Sequence, residues 1–143
     1  MKILVAIDDS KSSEQAVPKI SSHIQPKGTE VRVLHVLQPI TVTPPPQMSA
    51  GYAPELEAQA KGAQELVKRA AEALAAAGFK VETTIEKGDV RLKIVDSAAE
   101  WGADLIVVGC HGRGGIPRLL LGSVAEFVAR HAHCSVLIVR AKK

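Results

Sequence analysis

Five short apolar runs constrain this chain more than any other feature. Each is parted from the next by a stretch whose apolar residues recur every three or four positions. The runs are residues 2–7, 31–37, 79–86, 105–108 and 135–139. Most are continuous rather than alternating, and the first, Ile3-Leu4-Val5-Ala6-Ile7, is rich in β-branched residues. That is the pattern of strands covered on both faces. Residues 79–86 alternate more, as expected nearer a sheet edge.

The intervening stretches read as helices. Residues 12–24 set Ala16, Val17, Ile20 and Ile24 on one side, although Pro18 is tolerated only near a first turn. The longest helix is expected from about residue 54 to 77. There Leu56, Ala60, Ala63, Val67, Ala70, Leu74 and Ala77 form one face, with Pro54 in the first turn and Gly78 as the stop. A third helix starts at Asp89, whose carboxylate can cap free N–H groups, and buries Val90, Ile94, Ala98 and Trp101 before Gly102. The last follows Gly122-Ser123, with Val124, Phe127, Val128 and His131 on one face.

Strict alternation of strand and helix predicts an α/β fold: a single-domain, open, parallel five-stranded sheet with helices on both faces. Five strands favour the flavodoxin-like order 3-2-1-4-5, the alternative being a half-Rossmann unit. In such sheets ligands sit beyond the carboxyl ends of the strands, where the order reverses. That crevice lies between the first and fourth strands. It directs attention to Asp8-Asp9-Ser10 and to whatever follows Val108.

The chain has 143 residues, one domain's worth, covering 1–143. A chain of this length buries roughly two thirds of its unfolded surface, so no disulfide or metal staple is needed. No run of 18 apolar residues exists, so no membrane span is expected. The opening residues turn acidic too early for a signal peptide. Cys110 and Cys134 make no secreted framework, and a cytoplasmic location is the expectation. A net charge of +3 is too small for a nucleic-acid footprint. Tyr52, Phe79, Trp101 and Phe127 are the only aromatics, too few and scattered to stack single-stranded bases, and none lies near the glycine-rich segment to flank the ring of a flavin. Residues 38–54 hold five of the eight prolines. They form a long loop, read as a surface loop, a flap over a ligand or an arm to a partner.

The segment after the fourth strand concentrates glycine. Gly109, Gly112, Gly114, Gly115 and Gly122 fall within 14 positions. A Walker A loop fails because Gly115 stands where the lysine belongs, and Pro117 breaks the dinucleotide fingerprint. What remains is Gly-x2-Gly-x9-Gly-Ser, formed by Gly109, Gly112, Gly122 and Ser123. Glycines let a phosphate approach the backbone, and a helix opening at Gly122-Ser123 offers unpaired N–H groups to an anion. Each such bond contributes about 1.5–3 kcal/mol, so three or four support a site of roughly micromolar affinity. Arg113 and Arg118 add positive charge. A competing reading is a plain turn, with Ser123-x-x-Glu126 as a capping box that uses the hydroxyl internally.

With these residues assembled, the chain resembles the universal stress protein family, in its ATP-binding branch. The resemblance covers nearly all of the chain. It rests on Ile3-Leu4-Val5-Ala6-Ile7-Asp8-Asp9-Ser10, the His35-Val36 pair, and Ala103-Asp104 leading into Leu105-Ile106-Val107-Val108-Gly109. It continues through His111-Gly112-Arg113-Gly114, Leu121-Gly122-Ser123-Val124 and Cys134-Ser135-Val136-Leu137-Ile138-Val139. The family's ATP motif, Gly-x2-Gly-x9-Gly-[Ser/Thr], is matched in full. The resemblance implies that Gly109, Gly112, Gly122 and Ser123 hold ribose and phosphates, and that Val124 adds a backbone N–H. Asp8 would face the nucleotide beside Ile7, Val36 would meet adenine through its backbone, and Ala6 stands where the family often has proline. His111 and Arg113 complete the cofactor-binding set. ATP is the implied ligand, or AMP or ADP, with Mg2+ or Mn2+ accompanying the phosphates. Asp9 departs from the family's usual glycine or apolar residue and would either hold that ion or repel the phosphates. The resemblance also implies a stress-response role and a homodimer through the last strand. An exposed apolar edge at Val136–Val139 supports pairing independently.

No Walker lysine and no glutamine-type residue to orient a water is evident, so a fast ATPase is not expected. Slow hydrolysis helped by His111, Arg113 or Asp9, or a nucleotidyl-transferring activity, is the alternative to a binding module. His131, His133, Cys110, His111 and Cys134 invite a zinc reading, but the paired spacing of a structural site is missing. Cys110 near a helix start is a candidate oxidisable thiol, and an inert residue is the plainer reading.

Overall fold

The computed structural model describes residues 1–38, 53–111 and 121–141, with the side chains of 53–56 excepted. The strands are β1 (Lys2–Ala6), β2 (Glu30–Leu37), β3 (Lys80–Lys87), β4 (Leu105–Gly109) and β5 (Ser135–Val139). The helices are α1 (Lys11–Glu14), α2 (Ala16–His23), α3 (Ala53–Ala76), α4 (Val90–Trp101) and α5 (Ser123–His131). The five strands form one sheet in the order β3-β2-β1-β4-β5, every pair parallel. The expected 3-2-1-4-5 order is therefore the observed one. The reversal falls between β1 and β4, where Ile3 pairs with Leu105 and Val5 with Val107.

Strand periodicity divides the core in two. Ile3, Val5, Val31, Val33 and Val107 face α2 and α3, packing against Ile20, Val67 and Leu74. Leu4, Leu34, Val36, Ile106 and Val108 face α4 and α5, packing against Ile94, Ala98, Ala125 and Val128. Each fully buried aliphatic side chain contributes about 1.5–3 kcal/mol. Both faces of β1 are sealed, which is why its sequence is continuously apolar.

Local signals set most helix ends. The Asp89 carboxylate accepts from the N–H groups of Arg91 at 3.0 Å and Leu92 at 3.3 Å, capping α4. Gly102 ends α4 at φ +77°. Gly78, at φ +99°, follows α3 and lets the buried Phe79 enter the core. The stripe of α3 is narrower than its sequence predicts: Ala63, Val67, Ala70 and Leu74 are buried, Ala60 and Ala77 are exposed, and the Leu56 side chain lies outside the described ones.

Two expectations need correction. Residues 12–24 are not one helix; α1 ends at Glu14, and Gln15 separates it from α2. This break places Pro18 in the first turn of α2, where its missing N–H costs no helical bond. At α5 the capping box does not form. Gly122, not Ser123, is the N-cap, and among the described residues no side chain caps the helix. Ser123 is its first helical residue, so its hydroxyl does not serve as the helix cap.

The proline-rich stretch 38–54 is described only at its two ends, so its reading as a loop, flap or arm lies outside the described residues. Among the described residues, no helix is long and apolar enough to cross a membrane.

Candidate functional site

The carboxyl ends of β1, β2 and β4 carry the residues singled out from sequence. Beyond β1 the chain turns through Ile7-Asp8-Asp9-Ser10 into α1, and a set of short polar contacts fixes that turn. The Asp8 N–H donates to Ser13 Oγ at 2.7 Å, and Asp8 Oδ1 accepts from the Ser10 N–H at 2.8 Å. Ser10 Oγ accepts from the Ser13 N–H at 3.1 Å and caps α1. Asp8 is thereby held in one orientation with part of its surface open.

Ile7 is pinned from β2. Its N–H donates to the Leu34 carbonyl at 2.9 Å, and its own carbonyl lies 2.7 Å from His35 Nδ1. A carbonyl only accepts, so this contact places the proton on Nδ1. Val36 is buried against the α4 side, and Ala6 packs half-buried in the same layer.

Beyond β4, one tripeptide is tied in several directions. The Cys110 N–H donates to the Val139 carbonyl at 2.8 Å, and the Cys110 carbonyl accepts from the Gly122 N–H at 2.6 Å. These bonds fix the end of β5 and the start of α5 relative to β4. Ser12 Oγ donates to the His111 carbonyl at 2.6 Å, which ties in α1. Cys110 Sγ lies 3.3 Å from His111 Nδ1 and is buried.

Gly109 has a structural requirement besides any ligand. A Cβ there would sit 2.6 Å from Ser12 Oγ and 3.0 Å from backbone atoms of Ser12 and Ser13. The missing side chain lets α1 close onto the end of β4, which brings Asp8 beside the tripeptide. Gly122 is buried at the start of α5, Ser123 is exposed and Val124 half-buried. The expected positions Gly112 and Arg113 lie outside the described residues, as does Arg118.

A predominantly apolar cleft of about 280 Å³ opens beside Asp8. It runs under the α1–α2 elbow, lined by Ile7, Asp8, Ser13, Val17, Leu66 and Ala70 among others, with Glu14 and Arg69 supplying charge. A larger groove of about 470 Å³ lies between α3 and the edge strand β3, lined by Gln64, Val67, Lys68 and Thr83 among others. It is away from the strand-order reversal, whereas the smaller cleft reaches that reversal through Ile7 and Asp8 at the end of β1 and has no lining residue from β4 or α5.

Sequence reasoning missed Ser12, Ser13 and the bond made by His35. Ser12 and Ser13 are buried polar residues, at 3% and 4% exposure. A serine pair just after an acidic strand end is the one signal that could have pointed to them. The zinc reading gains nothing: among the described residues no group of three or more His, Cys, Asp or Glu side chains could hold a metal ion. Burial, reinforced by the Asp104 carboxylate, holds the Cys134 thiol above its ordinary value, so it remains uncharged at neutral pH.

Comparison with known proteins agrees with this arrangement. The model of the universal stress protein family matches residues 1–140. Universal stress protein YxiE of Bacillus subtilis is 34% identical, over 97% of this chain and 98% of its own length. The solved structure of UspA from Lactobacillus plantarum superposes with a TM-score of 0.83 at 25% identity, covering 98% of this chain and 97% of that one. A universal stress protein solved in complex with cAMP is 28% identical, with a TM-score of 0.70, covering 99% of this chain and 98% of that one. With its sheet order, strand ends and sequence all in agreement, the chain belongs to the universal stress protein family.

Proposed function

We propose that this chain binds an adenine nucleotide, with ATP as its principal ligand, and acts as a nucleotide-dependent stress-response module with at most slow hydrolysis. The observation that carries the reading is the convergence at the strand-order reversal. There a fixed Asp8, the Gly109–His111 tripeptide and the start of α5 gather at the carboxyl end of the sheet. Unpaired N–H groups at a helix start attract an anion. The apolar cleft beside Asp8 approaches the lower end of the size range of small-molecule sites and suits a base and ribose. A relative at 28% identity was solved with cAMP, which supports adenine as the base. Gly112 and Arg113 complete the phosphate side, and Mg2+ or Mn2+ accompanies the phosphates. Residues 1–143 act as one domain, which pairs with a second copy through β5.

The alternative is a slow ATPase or nucleotidyl-transferring enzyme, favoured by the imidazole of His111 at the mouth of the glycine segment. Extraction of nucleotide from the purified protein, followed by phosphate-release assays with magnesium or manganese, separates the two. ATP recovered intact supports the module. Turnover well above background, lost in Asp9→Ala or His111→Ala, supports the enzyme.

Gly122→Val tests the site itself. Gly122 sits at φ −71°, so valine meets no backbone strain there. Its side chain crowds the approach to the start of α5. ATP affinity is expected to fall by about tenfold or more, the equivalent of losing one charge-assisted bond. Because Gly122 is buried, circular dichroism is recorded alongside, and undiminished affinity in a folded variant would remove the site assignment.

A further inference from the structure

We infer that Ser12 is a positioning residue for the phosphate side of the proposed nucleotide site, an inference that rests on the adenine-nucleotide reading above. Ser12 belongs to the α1 side of the crevice, yet its hydroxyl acts on the β4 side. Ser12 Oγ donates to the His111 carbonyl at 2.6 Å and lies 3.4 Å from the His111 N–H. The side chain is 3% exposed, so water competes little for these contacts. It occupies the space that the missing Cβ of Gly109 leaves open.

The consequence is electrostatic as well as geometric. A peptide group offers an anion either its N–H or its carbonyl oxygen, and only the first attracts. A carbonyl oxygen engaged by a buried hydroxyl is directed at that hydroxyl, and part of its negative charge is compensated. His111 is where the chain passes into the glycine segment containing Gly112. The preceding residue is bonded through its carbonyl to the start of α5. Ser12 therefore fixes His111, the residue from which the phosphate-binding half of the motif continues. It does so from the opposite side of the crevice, across 99 positions of sequence. The turn bearing Asp8 is held by Ser13 and Ser10 instead, so it does not depend on the Ser12 hydroxyl.

This division gives the test a readout that a merely structural role does not move. ATP and adenosine affinities are measured by calorimetry for the wild type and Ser12→Ala, with thermal unfolding alongside. The expected result is ATP binding weakened about fivefold to tenfold, the effect of one lost buried hydrogen bond, with adenosine binding unchanged. Equal losses for both ligands, or none for either, overturn the inference while leaving nucleotide binding intact. A wild type that binds neither ligand overturns the nucleotide reading and this inference with it. Should Ser12→Ala fail to fold, Ser12→Gly likewise removes the hydroxyl without adding bulk and is expected to show the same selective loss.

Discussion

At Gly109 a hydrogen stands where any other residue would press a carbon into α1. The nearest obstacles to that carbon include backbone of Ser12 and Ser13, which cannot swing aside as a flexible side chain does. Gly109→Ala must therefore push α1 outward, breaking the Ser12 contact to His111 and loosening the turn at Asp8. Overpacking of this kind costs about 1–3 kcal/mol, and denaturant titration of the variant should show it as a lower midpoint with an unchanged slope. An unchanged midpoint would mean that α1 does not rest on the strand as described. The glycine pattern was legible in the sequence, but its meaning was only half so. Spacing pointed to a ligand, while the structural demand at Gly109 comes from a helix nearly a hundred residues away. The same holds for His35, whose bond to Ile7 spans 28 positions. Local pattern carries no information about a side chain that bonds distant backbone.

Among the elements, α4 shows how far local signals reach. Asp89 caps its start and a left-handed Gly102 closes its end, both readable from the sequence because a cap and its helix are neighbours. The Leu92 N–H foremost, with the N–H and guanidinium of Arg91, holds the Asp89 carboxyl below its ordinary value. A carboxyl depressed in the folded state stabilises the fold above its unfolded pKa, and that contribution disappears as the pH falls through the folded value. Asp89→Asn keeps a side-chain acceptor at the cap but removes the charge. The variant should resemble the wild type at neutral pH. It should lose less thermal stability on acidification from about pH 5 to pH 3, the range in which carboxylates titrate. Parallel melting curves across that range would show that the cap does not depend on ionisation. The elements that sequence misjudged are those whose boundary needs more than a cap. The α1–α2 break at Gln15 follows from Pro18 together with the close seat of α1 on Gly109. At α5 the start shifts by one residue because the Gly122 N–H is already committed to Cys110.

For the whole molecule, the two sheet edges differ in a way that bears on assembly. Strand β3 ends the sheet on one side with Lys80, Glu82, Glu86 and Lys87 along it, charges that discourage pairing with another chain. Strand β5 ends it on the other side with no charged residue between Ser135 and Val139, and Val136, Leu137 and Ile138 are only half-buried. Parallel pairing with β4 leaves the far side of β5 unpartnered within the described residues. A two-fold arrangement would pair that edge with its own copy and cover the three aliphatic side chains at once. Light scattering on the wild type should then report twice the 15.1 kDa chain mass. Ile138→Lys, which sets a charge on the strand, should shift the mass to that of a single chain. Thr83→Lys, on the already polar edge, should leave it doubled. The proposed nucleotide site draws its residues from strand ends within one chain, so on that proposal the single-chain Ile138→Lys variant should keep its ATP affinity. A wild type that stays at the single-chain mass would exclude pairing through β5. A doubled mass that survives Ile138→Lys but yields to Thr83→Lys would move the contact to the opposite edge of the sheet.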